Sequence, residues 1–123
     1  MIADGFEGRG AMEREDRSLL MTAAWLFARH GQGARARALC EALVEENPKD
    51  GVAALAAAEL MLADNDAESA LKALRRTVCP RGMERAEALL ETRALVALGL
   101  RDEGARRWRR YVNSTVSDRK WVK

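Results

Sequence analysis

A period of 34 residues runs through this chain of 123 and restricts its fold more than any other feature. Gly31, Asn65 and Gly99 stand 34 apart, and all three are residue types that tolerate the left-handed backbone needed just after a helix. Five positions on come Ala36, Ala70 and Gly104, all small, and four further on Cys40, Leu74 and Trp108, all apolar. Upstream the same offset links Phe27, Met61 and Leu95, then Ala24, Ala58 and Thr92, then Leu20, Ala54 and Ala88. Six columns in register across three units indicate internal repetition, in which each unit buries its apolar face against its neighbours.

Within each unit the columns fall at steps of three to four residues on either side of the turn, the pattern of two amphipathic helices in an antiparallel hairpin. Composition supports helix and argues against sheet: the chain holds 23 alanines against 12 residues of Val, Ile and Thr together, and aromatic residues are 5%. Helices are expected at about 16–30, 33–46, 50–63, 66–77, 83–98 and 101–112. Pro48 and the Cys79-Pro80-Arg81-Gly82 stretch interrupt the pattern, since proline neither continues a helix nor leaves the residue before it helical. Residues 1–12, with Gly5, Gly8 and Gly10 and no helical period, are expected to lack regular structure. The repeat domain spans 13–112, and 113–123 reads as a polar tail.

Several function classes are excluded at this level. A net charge of +2 creates no general field for nucleic acid or anionic lipid. The longest uncharged runs, Ser18 to Ala28 and Gly51 to Ala58, are too short to span a bilayer, and the first ten residues hold no apolar core of a secretory signal. Two cysteines 39 apart make neither a disulfide framework nor a zinc motif, so a reducing, cytoplasmic setting is expected. His30, the single histidine, stands at the end of the first helix where a cation favours the dipole. With Cys40 on a core column and Cys79 in a break, no nucleophile, base and orienting group can be assembled. No enzyme activity, metal or cofactor is expected. The basic residues Arg101, Arg106, Arg107, Arg109, Arg110, Arg119, Lys120 and Lys123 interleave with Trp108 and Tyr111, as in some RNA-binding segments. Trp108 belongs to the core pattern, however, and the charges suit a helix C-terminus, so an acidic protein partner is the better reading.

These residues resemble the tetratricopeptide repeat, a 34-residue helix hairpin with small residues at its eighth and twentieth positions and a proline near its end. With Arg17 as the first position, Ala24 and Ala36 take the small sites, Phe27 the aromatic site, Gly31 the turn and Pro48 the terminal proline. The second unit, 51–84, keeps Ala58, Met61, Ala70 and Leu74 but places its proline at Pro80. The third, 85–118, keeps Leu95, Gly99, Gly104 and Trp108 and sets Glu91 where an apolar residue is usual. The resemblance implies an all-α fold of three tetratricopeptide-like hairpins stacked as a short right-handed α-solenoid.

Such arrays bind along the face of their first helices. The second, fifth, ninth and twelfth positions of each unit supply that face with Ser18, Met21, Trp25 and Ala28, then Val52, Leu55, Glu59 and Leu62, then Ala86, Leu89, Arg93 and Val96. A mainly apolar strip of this kind suits an amphipathic helix. Met21 and Trp25 are the expected anchors, Leu55, Leu62, Leu89 and Val96 extend the strip, and Arg29, Glu59 and Arg93 set register. The positions that clamp a C-terminal carboxylate in the tetratricopeptide domains serving heat-shock proteins hold Met21, Trp25, Ala56, Ala86 and Leu90, which cannot do so.

Over Ser18 to Val112 the chain also resembles the small tetratricopeptide chaperones of bacterial type III secretion, the SctY (YscY) family. The likeness lies in Leu19-Leu20-Met21-Thr22-Ala23-Ala24-Trp25-Leu26, the His30-Gly31-Gln32 turn, Leu39-Cys40-Glu41-Ala42-Leu43, Asn47-Pro48, the run from Gly99 to Arg106, and Tyr111-Val112. It implies a cytoplasmic chaperone that pairs with an early-exported, SctX-like client and helps deliver it to the export gate. No nucleic acid and no direct membrane insertion enter that role. A chaperone of the needle subunit and a generic scaffold or homodimerisation module stand as the alternatives.

Overall fold

The structure, a computed structural model, describes residues 13–119, with side chains as far as Val116. The readings made above for 1–12 and 120–123 lie outside the described residues. Among the described residues six helices follow one another: α1 (Arg14–Arg29), α2 (Gly33–Glu46), α3 (Gly51–Ala63), α4 (Ala67–Arg76), α5 (Glu84–Ala97) and α6 (Arg101–Arg119). No strand occurs among the described residues. The first five helices end within two residues of the expected positions. The sixth differs, continuing through Arg119 where an end at 112 and a polar tail were expected. Nothing in Asn113-Ser114-Thr115-Val116 stops a helix, and the Ser114 and Thr115 hydroxyls donate back to the Tyr111 carbonyl, so their polarity is satisfied within the helix.

The 34-residue period appears directly in backbone geometry. Gly31, Asn65 and Gly99 all have positive φ, at 78°, 61° and 84°. In each unit the amide one residue later reaches back five positions: Gln32 to the Phe27 carbonyl, Asp66 to Met61 and Leu100 to Leu95, each at 2.8 Å. This is the helix-ending motif in which a left-handed residue lets the chain return bonds to orphan carbonyls. Asn65 supports it because its short polar side chain tolerates that conformation better than most non-glycine residues.

Each helix packs on the next, and α3 also packs directly on α5. The small columns lie where the helices pack: Ala24, Ala36, Ala58, Ala70 and Ala88 are each at most 2% exposed. Enlarging any of them would force backbones apart, at a cost of about 1–3 kcal/mol. Leu43, Leu55, Leu74 and Leu95 fill the remaining space, each burial contributing roughly 2 kcal/mol. Helix α3 is apolar around nearly its whole circumference because it lies at the centre of the stack, against α2, α4 and α5.

Three arginines tie neighbouring helices together. Arg17 of α1 donates to the Leu43 carbonyl (2.9 Å) and to Asp50 (3.0 Å), and pairs with Glu46, joining α1 to the end of α2 and the start of α3. Arg37 of α2 reaches Asp64 at 3.0 Å and Asp66 at 2.9 Å, beyond the end of α3. Arg107 of α6 donates to Glu91 at 2.6 Å and lies 3.5 Å from Glu87. Glu91 thus departs from the apolar pattern because its column partner departs too: Arg107 stands where Leu39 and Ala73 stand in the earlier units. The proline displaced to Pro80 has an equally local cause. Its ring lies against Gly51, where an added Cβ would fall 2.7 Å from Pro80 Cδ and overlap the Val78 carbonyl oxygen.

Candidate functional site: the first-helix face

Helices α1, α3 and α5 are the first helices of successive units, and their register determines what the shared face presents. Trp25 is 57% exposed, and Val52, Leu89 and Val96 are each close to 45%. Met21 and Leu62 are half-buried, with part of each packed on the core. Ser18, Ala28 and Glu59 are exposed, and Ala86 is half-buried. Leu55 is the correction: expected on the open strip, it is 3% exposed and belongs to the same core cluster as Leu90 and Ala94. The reason is the direct packing of α5 on α3, which covers that part of the central helix.

The three residues expected to set register already have partners. The Arg29 guanidinium lies over the Trp25 ring, 4.7 Å from its centroid, which limits the rotamers of an otherwise unsupported indole. Arg93 and Glu59, themselves 34 apart, face each other at 3.9 Å across α5 and α3. Both are largely exposed, so this pair adds little to stability and can be exchanged for contacts to a partner. The face therefore has an aromatic anchor on α1 and the apolar Leu89 and Val96 on α5, with one loose ion pair joining α5 to α3.

Residues considered for chemistry take other positions. His30 is the C-terminal cap of α1, its amide bonded to the Leu26 and Phe27 carbonyls. Cys40 is buried, and that burial raises the pKa of its thiol. Burial first, then the charges of Glu87 and Glu84, push the Cys79 thiol up to about 11, the opposite of an activated nucleophile. Asp66 is held below the ordinary carboxylate range by its bond from Arg37 and by capping α4 through the Ser69 amide. Among the described residues no group of three or more His, Cys, Asp or Glu could hold a metal ion, and no helix is long and apolar enough to cross a membrane.

One feature of the opposite side was not read from the sequence. A cleft of about 680 Å³ lies between α2 and α4 over α3, lined by Ala54, Ala57 and Met61 of α3, Ala42 and Val44 of α2 and Ala73 of α4. The available signal is the small residues Ala38, Ala42 and Ala73 on the two second helices, which are too short to fill the gap between them.

The tetratricopeptide repeat family matches residues 27–78, from the last turn of α1 to just beyond α4. No curated protein and no solved structure matched the chain. The matched segment includes one complete turn column pair, Gly31 and Asn65, and the geometry of that pair recurs at Gly99. The family match and the threefold hairpin geometry together support a tetratricopeptide-repeat protein, built as an α-solenoid of helix hairpins and suited to binding other proteins.

Proposed function

We propose that this protein is a cytoplasmic chaperone of bacterial type III secretion, which holds an early-exported, SctX-like component soluble and export-competent and helps deliver it to the export gate. The observation that carries this reading is the exposed Trp25 on α1, aligned with Val52, Leu89 and Val96 on the neighbouring first helices. A small protein that leaves such a strip in water gains by covering it, and a client helix with one apolar side does so without opening the fold. The client's own apolar side, which would otherwise aggregate, is hidden in the same step. Trp25 and Met21 act as anchors, with Leu62, Leu89 and Val96 continuing the contact, while Arg29, Glu59 and Arg93 meet polar groups at the client's edges. No bond is made or broken.

Co-purification from the native cell tests the reading. Trp25→Glu leaves helix content unchanged and reduces the retained client at least tenfold, since a desolvated aromatic anchor contributes about 2 kcal/mol or more. Mass spectrometry of the retained client separates the two parts of the proposal. A secretion component supports the chaperone role; an unrelated protein lost in the same variant leaves the binding face in place and overturns the role. A needle subunit would direct the same mechanism to a different client.

A further inference from the structure

The last helix repeats a surface that the first two units use and cover. Helix α3 is seated on α2, and α5 on α4, so each second helix is covered by the first helix of the next unit. Nothing follows α6 among the described residues to cover it in the same way. By the period Trp108 of α6 corresponds to Cys40 of α2 and Leu74 of α4, Ala105 to Leu71 of α4 and Val112 to Val44 of α2; α6 runs on past the ends of both earlier helices, and Val116 extends the same stripe at steps of three to four. Val112 is 38% and Val116 50% exposed.

Charge indicates what fits there. In the second unit Arg75 of α4 reaches Glu91 of the following helix at 3.6 Å. Thirty-four residues on, in the same column, stands Arg109, exposed and without an ion-pair partner among the described residues. Arg101 at the start of the stripe is in the same condition, and Arg106 and Arg110 add further positive charge alongside. The internal junctions thus show twice what covers this kind of surface, a helix, and the second shows what its flank carries, a carboxylate opposite the arginine.

We infer that the free face of α6 is a second docking surface, distinct from the first-helix strip, and that its occupant is an acidic amphipathic helix of a partner protein seated as the first helix of a fourth unit would be. Its apolar side covers Trp108, Val112 and Val116, and a carboxylate meets Arg109 where Glu91 meets Arg75. A second copy of this chain is a poor occupant, because two such helices would bring their exposed arginines together.

The test uses the full chain and two labelled helical peptides of one design, with a Leu/Ala stripe flanked either by Glu or by Lys, followed by fluorescence anisotropy. The Glu peptide binds and weakens as salt is raised, whereas the Lys peptide binds at least tenfold less. Arg101→Glu with Arg109→Glu, both exposed and without an ion-pair partner among the described residues, weakens the Glu peptide about tenfold and leaves helix content unchanged. Val112→Asp has a similar effect, and Trp25→Glu has none. Equal binding of the two peptides overturns the inference, as does loss of binding in Trp25→Glu. Retention of a poly-uridine RNA that the Glu peptide cannot displace also overturns it, assigning the face to nucleic acid. Concentration-dependent self-association abolished by Val112→Asp overturns it in favour of a second copy.

Discussion

The two connections between units meet at one place and hold it by different means. The first, residues 47–50, is short, and Arg17 ties it from outside by joining the Leu43 carbonyl, Glu46 and Asp50. The second, residues 77–83, is longer and folds back so that Val78 and Pro80 press on Gly51, the residue after Asp50. Thr77 donates to the Ala73 carbonyl and the Met83 amide to Pro80, which gives this longer segment its own internal bonds. The start of α3 is therefore held on one side by charge and on the other by shape. A short connection leaves few atoms to pack and needs a long side chain reaching in; a longer one can supply the packing itself.

Shape should be the less forgiving of the two. Gly51→Ala is expected to cost about 3 kcal/mol, because the clash is with a backbone carbonyl and a proline ring that cannot move aside. Gly33→Ala, also in the first turn of a helix but facing open space, should be neutral or stabilise by up to about 1 kcal/mol. Urea denaturation of the two variants gives opposite signs for one substitution, and equal effects would remove the distinction.

Loss of the charge tie comes next. Arg17→Met should cost about 2 kcal/mol, since its head is only 13% exposed and its removal leaves two partly buried carboxylates without it. The loss should shrink as salt is raised, because screening weakens the pairs in the wild type. A cost independent of salt would mean that Arg17 acts through packing alone.

The second connection has its own titration. In the folded protein the Cys79 thiol stays protonated until about pH 11, against an ordinary value of 9.0. Its contribution is fully present below pH 9 and is lost as the pH rises towards 11, by roughly 2 kcal/mol or less. Cys79→Ala should flatten that alkaline decline, and the wild-type thiol should react with alkylating reagents more slowly at pH 8 than a free cysteine. The smallest of these changes is a gain. Thr92 occupies a column otherwise filled by Ala24 and Ala58, and its buried hydroxyl has no hydrogen-bond partner among the described residues. Thr92→Ala should stabilise by about 1 kcal/mol in thermal denaturation.

The repeat was legible because its signal is local: a left-handed residue, small residues at crossings and an apolar period identify themselves within a few positions. Gly31, Asn65 and Gly99 predict the turns for that reason, and the turns predict the hairpins. Leu55 was misplaced because burial of a central helix depends on a neighbour 30 or more residues away, which the period of one unit does not contain. Glu91 looked irregular until Arg107 and Arg75 were found on either side of it, and Pro80 until Gly51 was found beneath it. The extent of α6 was missed because polar residues were taken as the end of order, although Ser114 and Thr115 satisfy themselves within the helix. Of the binding face, the register placed Trp25, Leu89 and Val96 in the open, while the pairing of Arg29 with Trp25 and of Glu59 with Arg93 required the fold.

The face itself is tested most directly by one comparison: wild type and Trp25→Glu, purified in parallel from the native cell, with helix content and stability measured beside the retained partner. The substitution lies on an exposed surface, so stability should change by no more than about 0.5 kcal/mol and helix content not at all. Retained partner should fall at least tenfold. A partner held at the wild-type level by a fully folded Trp25→Glu protein would contradict the assignment of the first-helix strip as the binding surface.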